Sequence, residues 1–386
     1  MKRILFYTAN GVGLGHLRRS SLIAESIIDI DSNTKIFFIS LCSDSRFLTE
    51  FGLPFLKLKP ISDDIIKNNS VFSYCKKSNE RKIKKVLNCF KPDTVVIDMH
   101  VFSNYSFPST LLNDEYDRIK KVLIYRMTGK KDFTDNFKIY YDKFKIFDTI
   151  IVPHSRDECE YLINKRNFNK IVENRRIIFT GPIYREINKN ALEDCKKKYR
   201  VNKKDFLLTV TLGGGGKLIL GNCESPSIII YELIKNSLLL KKNIKRLKII
   251  LVTGPFFKDD KILASLLNCF SGIIRIKKFE KNLLELYRLS NLVICPIGYN
   301  TGNEIIEAKT PAIVFPLQRG GKKSNEQFER ARYLKSFGVI KIFDQKKELK
   351  TIFFDVINNL DKMKKSFSGY KKAIKGNKTA AKIILK

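Results

Sequence analysis

Short runs of β-branched and aromatic residues alternate with longer stretches of mixed apolar and charged character along almost the whole chain. Parallel sheets covered by helices produce this rhythm. A strand buried on both faces reads as a near-continuous apolar run, whereas a covering helix shows only one apolar stripe. In the first half the pattern predicts strands at Ile4–Thr8, Lys35–Ser40, Thr94–Asp98, Lys121–Tyr125, Thr149–Val152 and Ile177–Phe179, with intervening helices such as Leu17–Ile28 and Glu80–Cys89. After the charged, helix-like Ala191–Arg200, a second series predicts strands at Phe206–Leu212, Lys248–Val252, Gly272–Ile276, Leu292–Ile294 and Ala312–Phe315. Gly181-Pro182 separates the two series and is the expected hinge. The expected organisation is α/β: an N-terminal domain over 1–183, a linker over 184–205, a C-terminal domain over 206–365, and a helical end over 366–386 that packs back on the first domain.

Composition narrows the class. With 386 residues, 44% hydrophobic and 29% charged, the chain can bury large cores and is not disordered. No apolar run approaches the roughly 18 residues that a membrane-spanning helix needs. The apolar run after Lys2-Arg3 stops at Asn10-Gly11, too soon for a signal peptide. Eight cysteines are scattered without a C-x-x-C pair, so neither a disulfide framework nor structural zinc is expected. These features predict a reduced, cytoplasmic protein, with peripheral attachment to the inner face of the plasma membrane left open.

Charge adds a second constraint. Against 39 Asp+Glu stand 73 Lys+Arg, a net +34, which draws a surface toward nucleic acid, acidic headgroups or phosphorylated substrates. The excess is spread in short pairs such as Lys84-Lys85, Lys241-Lys242 and Lys322-Lys323, in a chain rich in Lys, Ile, Asn and Phe and free of Trp. That spread fits a general compositional bias as well as it fits a binding stripe. No zinc-finger, helix-turn-helix or RNP signature accompanies it, so nucleic acid is not an expected partner.

Three segments carry candidate chemistry. Gly11-Val12-Gly13-Leu14-Gly15-His16-Leu17-Arg18-Arg19 follows the first strand and opens the first helix, where main-chain amides can approach an anion. It is not the dinucleotide fingerprint, because His16 stands where the third glycine belongs. Gly213-Gly214-Gly215-Gly216-Lys217 also follows a strand. It fails as a nucleotide P-loop, with Thr211 at the first glycine position and Leu218 after the lysine. The third segment runs from Phe279-Glu280 through Gly298-Tyr299-Asn300-Thr301-Gly302-Asn303-Glu304 to Pro311–Pro316 and Asn325-Glu326-Gln327. It reads as strand, glycine turn, helix with a carboxylate in its first turn, strand, and a polar loop entering another helix.

On these motifs the chain resembles GT-B glycosyltransferases, built from two facing Rossmann-like domains with an interdomain cleft. It most resembles family 28, which includes the lipid II-forming N-acetylglucosaminyltransferase, and in particular those relatives with a G-x-G-x-G-H-x-x-R start and a G-Y-N-T-x-x-E turn. The resemblance covers both domains, strongly in the C-terminal half and thinly between about residues 40 and 180. It implies that the C-terminal domain holds a nucleotide-sugar donor, usually a UDP-sugar, and that the N-terminal domain presents a hydroxyl acceptor. Phe279 and Glu280 would then lie by the base, Glu304 would meet the ribose, and Gly298 with Tyr299, Asn300 and Thr301 would meet the diphosphate. Glu326 and Gln327 would touch the sugar. Gly213, Gly214, Gly215 and Gly216 lack the serine of the lipid II-forming enzyme, leaving only backbone for the diphosphate.

Transfer needs a base for the acceptor hydroxyl and positive or dipolar charge for the departing diphosphate. His16 is the lead base, with Asp98 and His100 as alternatives, while His154 reads as a loop histidine. Gly13, Gly15, Arg18, Arg19 and Arg126 are candidate acceptor or diphosphate contacts. Asp29-Ile30-Asp31 spells D-x-D but ends a helix far from either glycine loop, so no metal or other cofactor is expected. The leading expectation is inverting transfer of a hexosyl or N-acetylhexosaminyl group from a UDP-sugar to a hydroxyl acceptor, potentially lipid-linked. A nucleotide-sugar epimerase or hydrolase of the same fold and a nucleic-acid-binding or DNA-glycosylating protein are the alternatives. The amphipathic stretch Met99–Thr110, with Val101, Phe102, Tyr105 and Phe107, would bring such a protein to an anionic membrane surface.

Overall fold

The fold was obtained as a computed structural model. It describes residues 1–8, 15–41, 48–49, 52–59, 65, 68–98, 110, 114–126, 144–162, 168–169, 173, 176–214, 227–255, 257–317, 325–343, 348–370 and 374–386. Two compact units emerge, Met1–Tyr184 with Ala373–Lys386, and Arg185–Lys372. In the first, β1 (Arg3–Thr8), α1 (Gly15–Ile30), β2 (Lys35–Ser40), β3 (Phe55–Lys57), α2 (Asn69–Phe90), β4 (Thr94–Asp98), β5 (Lys120–Ile124), β6 (Thr149–Val152), α3 (Arg156–Leu162) and β7 (Ile177–Phe179) follow in order. The second begins with α4 (Lys189–Tyr199), β8 (Phe206–Thr211), α5 (Ser227–Lys235), α6 (Ser237–Asn243), β9 (Leu247–Val252), α7 (Asp260–Cys269) and β10 (Ile274–Lys277). It continues with α8 (Leu283–Leu289), β11 (Leu292–Pro296), α9 (Tyr299–Ala308), β12 (Ala312–Phe315), α10 (Asn325–Ser336), β13 (Ile340–Ile342), α11 (Leu349–Asn358) and α12 (Leu360–Gly369). The last helix, α13 (Asn377–Leu385), belongs to the first unit.

Each unit holds one sheet. The first has seven strands in the order β3-β2-β1-β4-β5-β6-β7, the second six in the order β10-β9-β8-β11-β12-β13. The strand pairs within both are parallel. Both are doubly wound, with the order reversing beside the first strand of the unit.

The apolar runs of the central strands follow from burial on both faces. In β1, Leu5 and Tyr7 join a core with Ile83 and Leu87 of α2. Ile4 and Phe6 point the other way, into a core with Leu17, Ile23 and Ile27 of α1. Successive strand residues face opposite sides, so a strand between two helical layers must be apolar throughout. The second unit repeats the device: Leu292 and Ile294 of β11 enter one core, Val293 and Cys295 another.

The segment expected as a linker, 184–205, contains α4 and lies almost wholly within the second unit. Cys195 and Tyr199 bury it against Leu207, Ile250, Val252 and Leu286. Glu285, fully buried on α8, anchors the entry by accepting from Arg185 Nη2 at 2.5 Å and from the Asn188 amide at 3.0 Å. At the other end, Ala380, Ala381 and Ile384 of α13 share the core of α1. Asn377 fastens this returning chain: its Oδ1 accepts from the Tyr184 amide at 3.2 Å and its Nδ2 donates to the Tyr184 carbonyl at 3.1 Å. Gly181, at φ +85°, permits the approach, since a Cβ there would sit 2.1 Å from the Ile374 carbonyl oxygen.

Candidate functional site

In a doubly wound sheet, ligands bind beyond the C-terminal strand ends where the order reverses. In the first unit that point lies between β1 and β4, whose last residues Thr8 and Asp98 are register partners. Asp98 is fully buried there. The chain then supplies α1 with His16, Arg19 and Ser20 at spacings of three and four, which places them on one helical face. All three reach Asp98. His16 Nδ1 lies 2.7 Å from Oδ1, Arg19 Nε donates to Oδ2 at 3.0 Å, and Ser20 Oγ donates to Oδ2 at 2.9 Å. Arg19 Nη2 also donates to Oδ1, which makes the arginine bidentate.

Burial is the largest influence on Asp98 and opposes its charge, yet Arg19 and His16 outweigh it and hold the carboxyl down at about 2. An ionised carboxylate accepts only, so the proton in the 2.7 Å contact belongs to His16 Nδ1. Nε2 then carries the lone pair of the neutral ring. Burial, the main cause, lowers the His16 pKa below its ordinary 6.5 against the pull of Asp98, with Arg19 and Arg126 adding to the lowering. The arrangement can accept a proton at neutral pH.

This geometry revises two expectations. Asp98 is enclosed by its donors and orients His16, so it is not itself a free base. Arg19, expected as an anion contact, is buried and bonded to Asp98. Arg18 is half-buried beside it, and Arg126 lies two residues beyond β5, near enough to act on His16. Gly15 is the first residue of α1. Gly13, His100 and the stretch 99–109 lie outside the described residues. His154, expected as a loop histidine, does lie in the loop after β6, where it is fully buried with Nδ1 3.1 Å from Glu158 Oε2. Asp31 of the D-x-D triplet ends α1 by accepting from the Asn33 amide at 3.1 Å and Thr34 Oγ1 at 2.7 Å, a turn-capping role.

The second unit has the equivalent reversal between β8 and β11, register neighbours at Leu292 and Leu208. Gly213 lies two residues beyond β8, and a Cβ on it would stand 3.1 Å from Pro296 Cγ at the end of β11. Gly254, beyond β9 at φ +86°, lies against the same loop, since a Cβ there would fall 2.3 Å from the Gly213 carbonyl oxygen. Gly213 and Gly214 are thus set at the strand ends; Gly215 and Gly216 lie outside the described residues.

Gly298 is the N-cap of α9 and has no side chain to cap it, and Tyr299, Asn300 and Thr301 form the first turn. Helix N-termini carry amides without intrahelical partners and a positive dipole end. Because the helix starts at Tyr299, Glu304 falls in its second turn and not the first; it is buried, close enough to Cys295 to help burial raise that thiol's pKa. Gln327 Oε1 accepts from the Leu317 amide at 2.7 Å, which ties the start of α10 to the exit of β12 and leaves Nε2 as its donor. Glu326 is half-buried next to it. Phe279 is half-buried, and the Glu280 carboxylate turns to Lys198 Nζ at 2.6 Å, the Tyr199 hydroxyl and the Asn282 amide at 3.1 Å. Arg330, absent from the expectations, is buried with its guanidinium 5.2 Å from the Tyr299 ring centroid. A lone sequence gives no sign of it, whereas the spacing of His16, Arg19 and Ser20 did offer one for the first unit.

Residues 226–384 match the glycosyltransferase family 28 C-terminal domain. Two curated relatives are UDP-N-acetylglucosamine--N-acetylmuramyl-(pentapeptide) pyrophosphoryl-undecaprenol N-acetylglucosamine transferases. The one from Mannheimia succiniciproducens is 33% identical over 92 residues, 24% of this chain and 25% of that protein. The one from Prochlorococcus marinus (strain MIT 9215) is 26% identical over 211 residues, 53% of this chain and 52% of that protein. The chain thus spans between a quarter and about half the length of these relatives. The crystal structure of Acinetobacter baumannii MurG superposes with a TM-score of 0.58 at 16% identity, covering 100% of this chain and 99% of that one. Residues 226–384 thus resemble the C-terminal domain of glycosyltransferase family 28, and the chain has a GT-B fold of two Rossmann-like units.

Proposed function

We propose that the protein transfers a sugar from a UDP-sugar to a hydroxyl acceptor with inversion at the anomeric carbon. The observation that supports this reading best is the pairing, in one chain, of a match to the family 28 C-terminal domain with a histidine held by a buried carboxylate at the sheet reversal. His16 Nε2 takes the acceptor proton as the acceptor oxygen bonds to the anomeric carbon, and the bond from that carbon to the diphosphate breaks. The diphosphate charge is met by the amides of the Gly213–Gly214 turn and of the α9 N-terminus. Glu304 serves the ribose, and Glu326 with the Gln327 Nε2 serves the sugar. Dipoles and arginines do the work a metal would otherwise do, so transfer is metal-independent. Both curated relatives are named for UDP-N-acetylglucosamine and an undecaprenol-linked acceptor. We extend that donor class to this chain, with a lipid-linked acceptor at an anionic membrane surface. Among the described residues no helix is long and apolar enough to cross a membrane.

The test is a thermal-shift panel of nucleotide diphosphates and nucleotide sugars with and without EDTA, since a ligand of the folded state raises stability by mass action. UDP and UDP-sugars are expected to stabilise the protein equally in both conditions. A panel without any response overturns the donor assignment, and a response abolished by EDTA overturns metal independence. Release of a 2-epimer from UDP-N-acetylglucosamine in the absence of acceptor would favour the epimerase alternative. Sedimentation with anionic vesicles at low ionic strength tests the membrane assignment; no binding overturns it.

A further inference from the structure

We propose that Arg19 is a positioning residue that neutralises Asp98 and thereby keeps His16 able to accept a proton. The inference rests on the reading of His16 as the base, and it concerns a charge problem built into that pair. A carboxylate 2.7 Å from an imidazole nitrogen favours the imidazolium, which has no lone pair to offer. Orientation by Asp98 alone would therefore fix the ring but leave more of it already protonated at Nε2 near neutral pH.

The structure answers this through Arg19. It is buried, and its guanidinium engages both Asp98 oxygens, Nε on Oδ2 at 3.0 Å and Nη2 on Oδ1. Ser20 Oγ adds a neutral donor on Oδ2 at 2.9 Å. The Arg19–Asp98 pair has no net charge, so the ring faces a dipole in place of a bare anion. Arg19 Nη2 also stands 3.1 Å from His16 Nδ1, where a fixed cation opposes a second proton on the ring. Among the described residues the charged groups acting on His16 are Asp98 from β4, Arg19 from its own helix, and Arg126 from beyond β5. Asp98 alone of these favours the protonated ring, and Arg19 is the cation bonded to it. A solvated arginine three residues from His16 would do none of this; the effect depends on burial, which removes the screening of water.

The chain has three histidines, so the ring-proton resonances of the full-length protein can be titrated by NMR, with His16→Gln identifying the relevant signal. In Arg19→Met the His16 midpoint is expected to rise by about one to three pH units, the usual effect of an unopposed adjacent charge. Arg19→Lys, which keeps the charge, should restore most of the wild-type midpoint. Arg19→Met leaves a buried carboxylate without its main partner and risks misfolding. The same replacement is therefore also made in an Asp98→Asn background, where no such anion remains, and the midpoint should again rise relative to Asp98→Asn alone. A midpoint unmoved by Arg19→Met in the folded protein that retains Asp98 overturns the proposal, as does an equal rise with Lys and Met, or a rise in the Asp98→Asn background as large as the one seen with Asp98 present. The titration requires no substrate, so it stands apart from the functional reading. If the midpoint moves while the acid limb of the transfer rate does not follow, Arg19 acts as proposed and His16 is not the base.

Discussion

His16 Nδ1 and Asp98 Oδ1 meet at 2.7 Å across 82 positions of chain, at the point where the first sheet reverses its strand order. One ring nitrogen is thereby fixed, and the other is left to exchange protons. His16→Ala should lower turnover by about 10²–10⁴-fold with little change in UDP affinity. Because burial lowers the His16 pKa, the ring loses its proton below 6.5, and kcat/KM should fall on the acid side with a midpoint under that value. Steady-state rates and UDP titrations of the folded variant check both points. A midpoint above 6.5, or a near-wild-type rate, would return the role of base to another group.

Glu304 is buried in the second turn of α9, behind the Gly298–Thr301 turn. A carboxylate that accepts from ribose hydroxyls at this depth does so in competition with little water. Glu304→Gln preserves shape and removes the charge, and should weaken UDP binding by about 1.5–3 kcal/mol, the cost of losing charge-assisted hydrogen bonds. Calorimetry with UDP measures it. Undiminished affinity in a protein of unchanged thermal stability would place the ribose elsewhere.

Gly254 packs against the Gly213–Gly214 turn. Its φ of +86° disfavours any side chain, and a Cβ would lie 2.3 Å from the Gly213 carbonyl oxygen and 2.5 Å from the Gly214 carbonyl carbon. Gly254→Ala must therefore displace the Gly213–Gly214 turn. It should reduce UDP affinity at least tenfold while the His16 titration, a property of the first unit, stays unchanged. Retained affinity would mean that the turn does not carry the diphosphate.

The sequence made the strands legible for a simple reason: central strands such as Thr94–Asp98 are buried on both faces and cannot hide a polar position. The two strands it did not reveal, Phe55–Lys57 and Ile340–Ile342, are edge strands without that two-sided burial. His16 and Asp98 stood out separately by type and place. They read as rival bases because nothing in one sequence shows that residues 82 apart touch. Arg19 was harder still. In a chain with net +34 it reads as one more candidate anion contact, and only the partner Asp98 makes its burial intelligible. Glu280 shows a role that its motif position does not reveal: Lys198 and Tyr199 of α4 hold its carboxylate.

Asp205 tests how much of the charge network serves the fold alone. Its carboxylate sits at the entry to β8 and is almost fully buried, accepting from the Asn202 amide at 2.8 Å, Arg246 Nε at 3.0 Å and Lys248 Nζ, which lies at 2.8 Å. Burial works against its charge, but Lys248, the Asn202 amide and Arg246 together hold its pKa down at about 2. The stabilisation is therefore present above the ordinary value of 3.8 and is lost as pH falls from there through about 2. Asp205→Ala should destabilise the second unit by about 1–3 kcal/mol near neutral pH, at the lower end because Arg246 and Lys248 remain in contact with water. The difference from wild type should shrink as pH is lowered toward about 2, and UDP affinity should not change, since the residue lies at the opposite end of β8 from Gly213. Denaturant titrations across pH, with UDP calorimetry beside them, decide the matter. A pH-independent difference would show that lost packing, and not the carboxylate charge, is what Asp205 contributes.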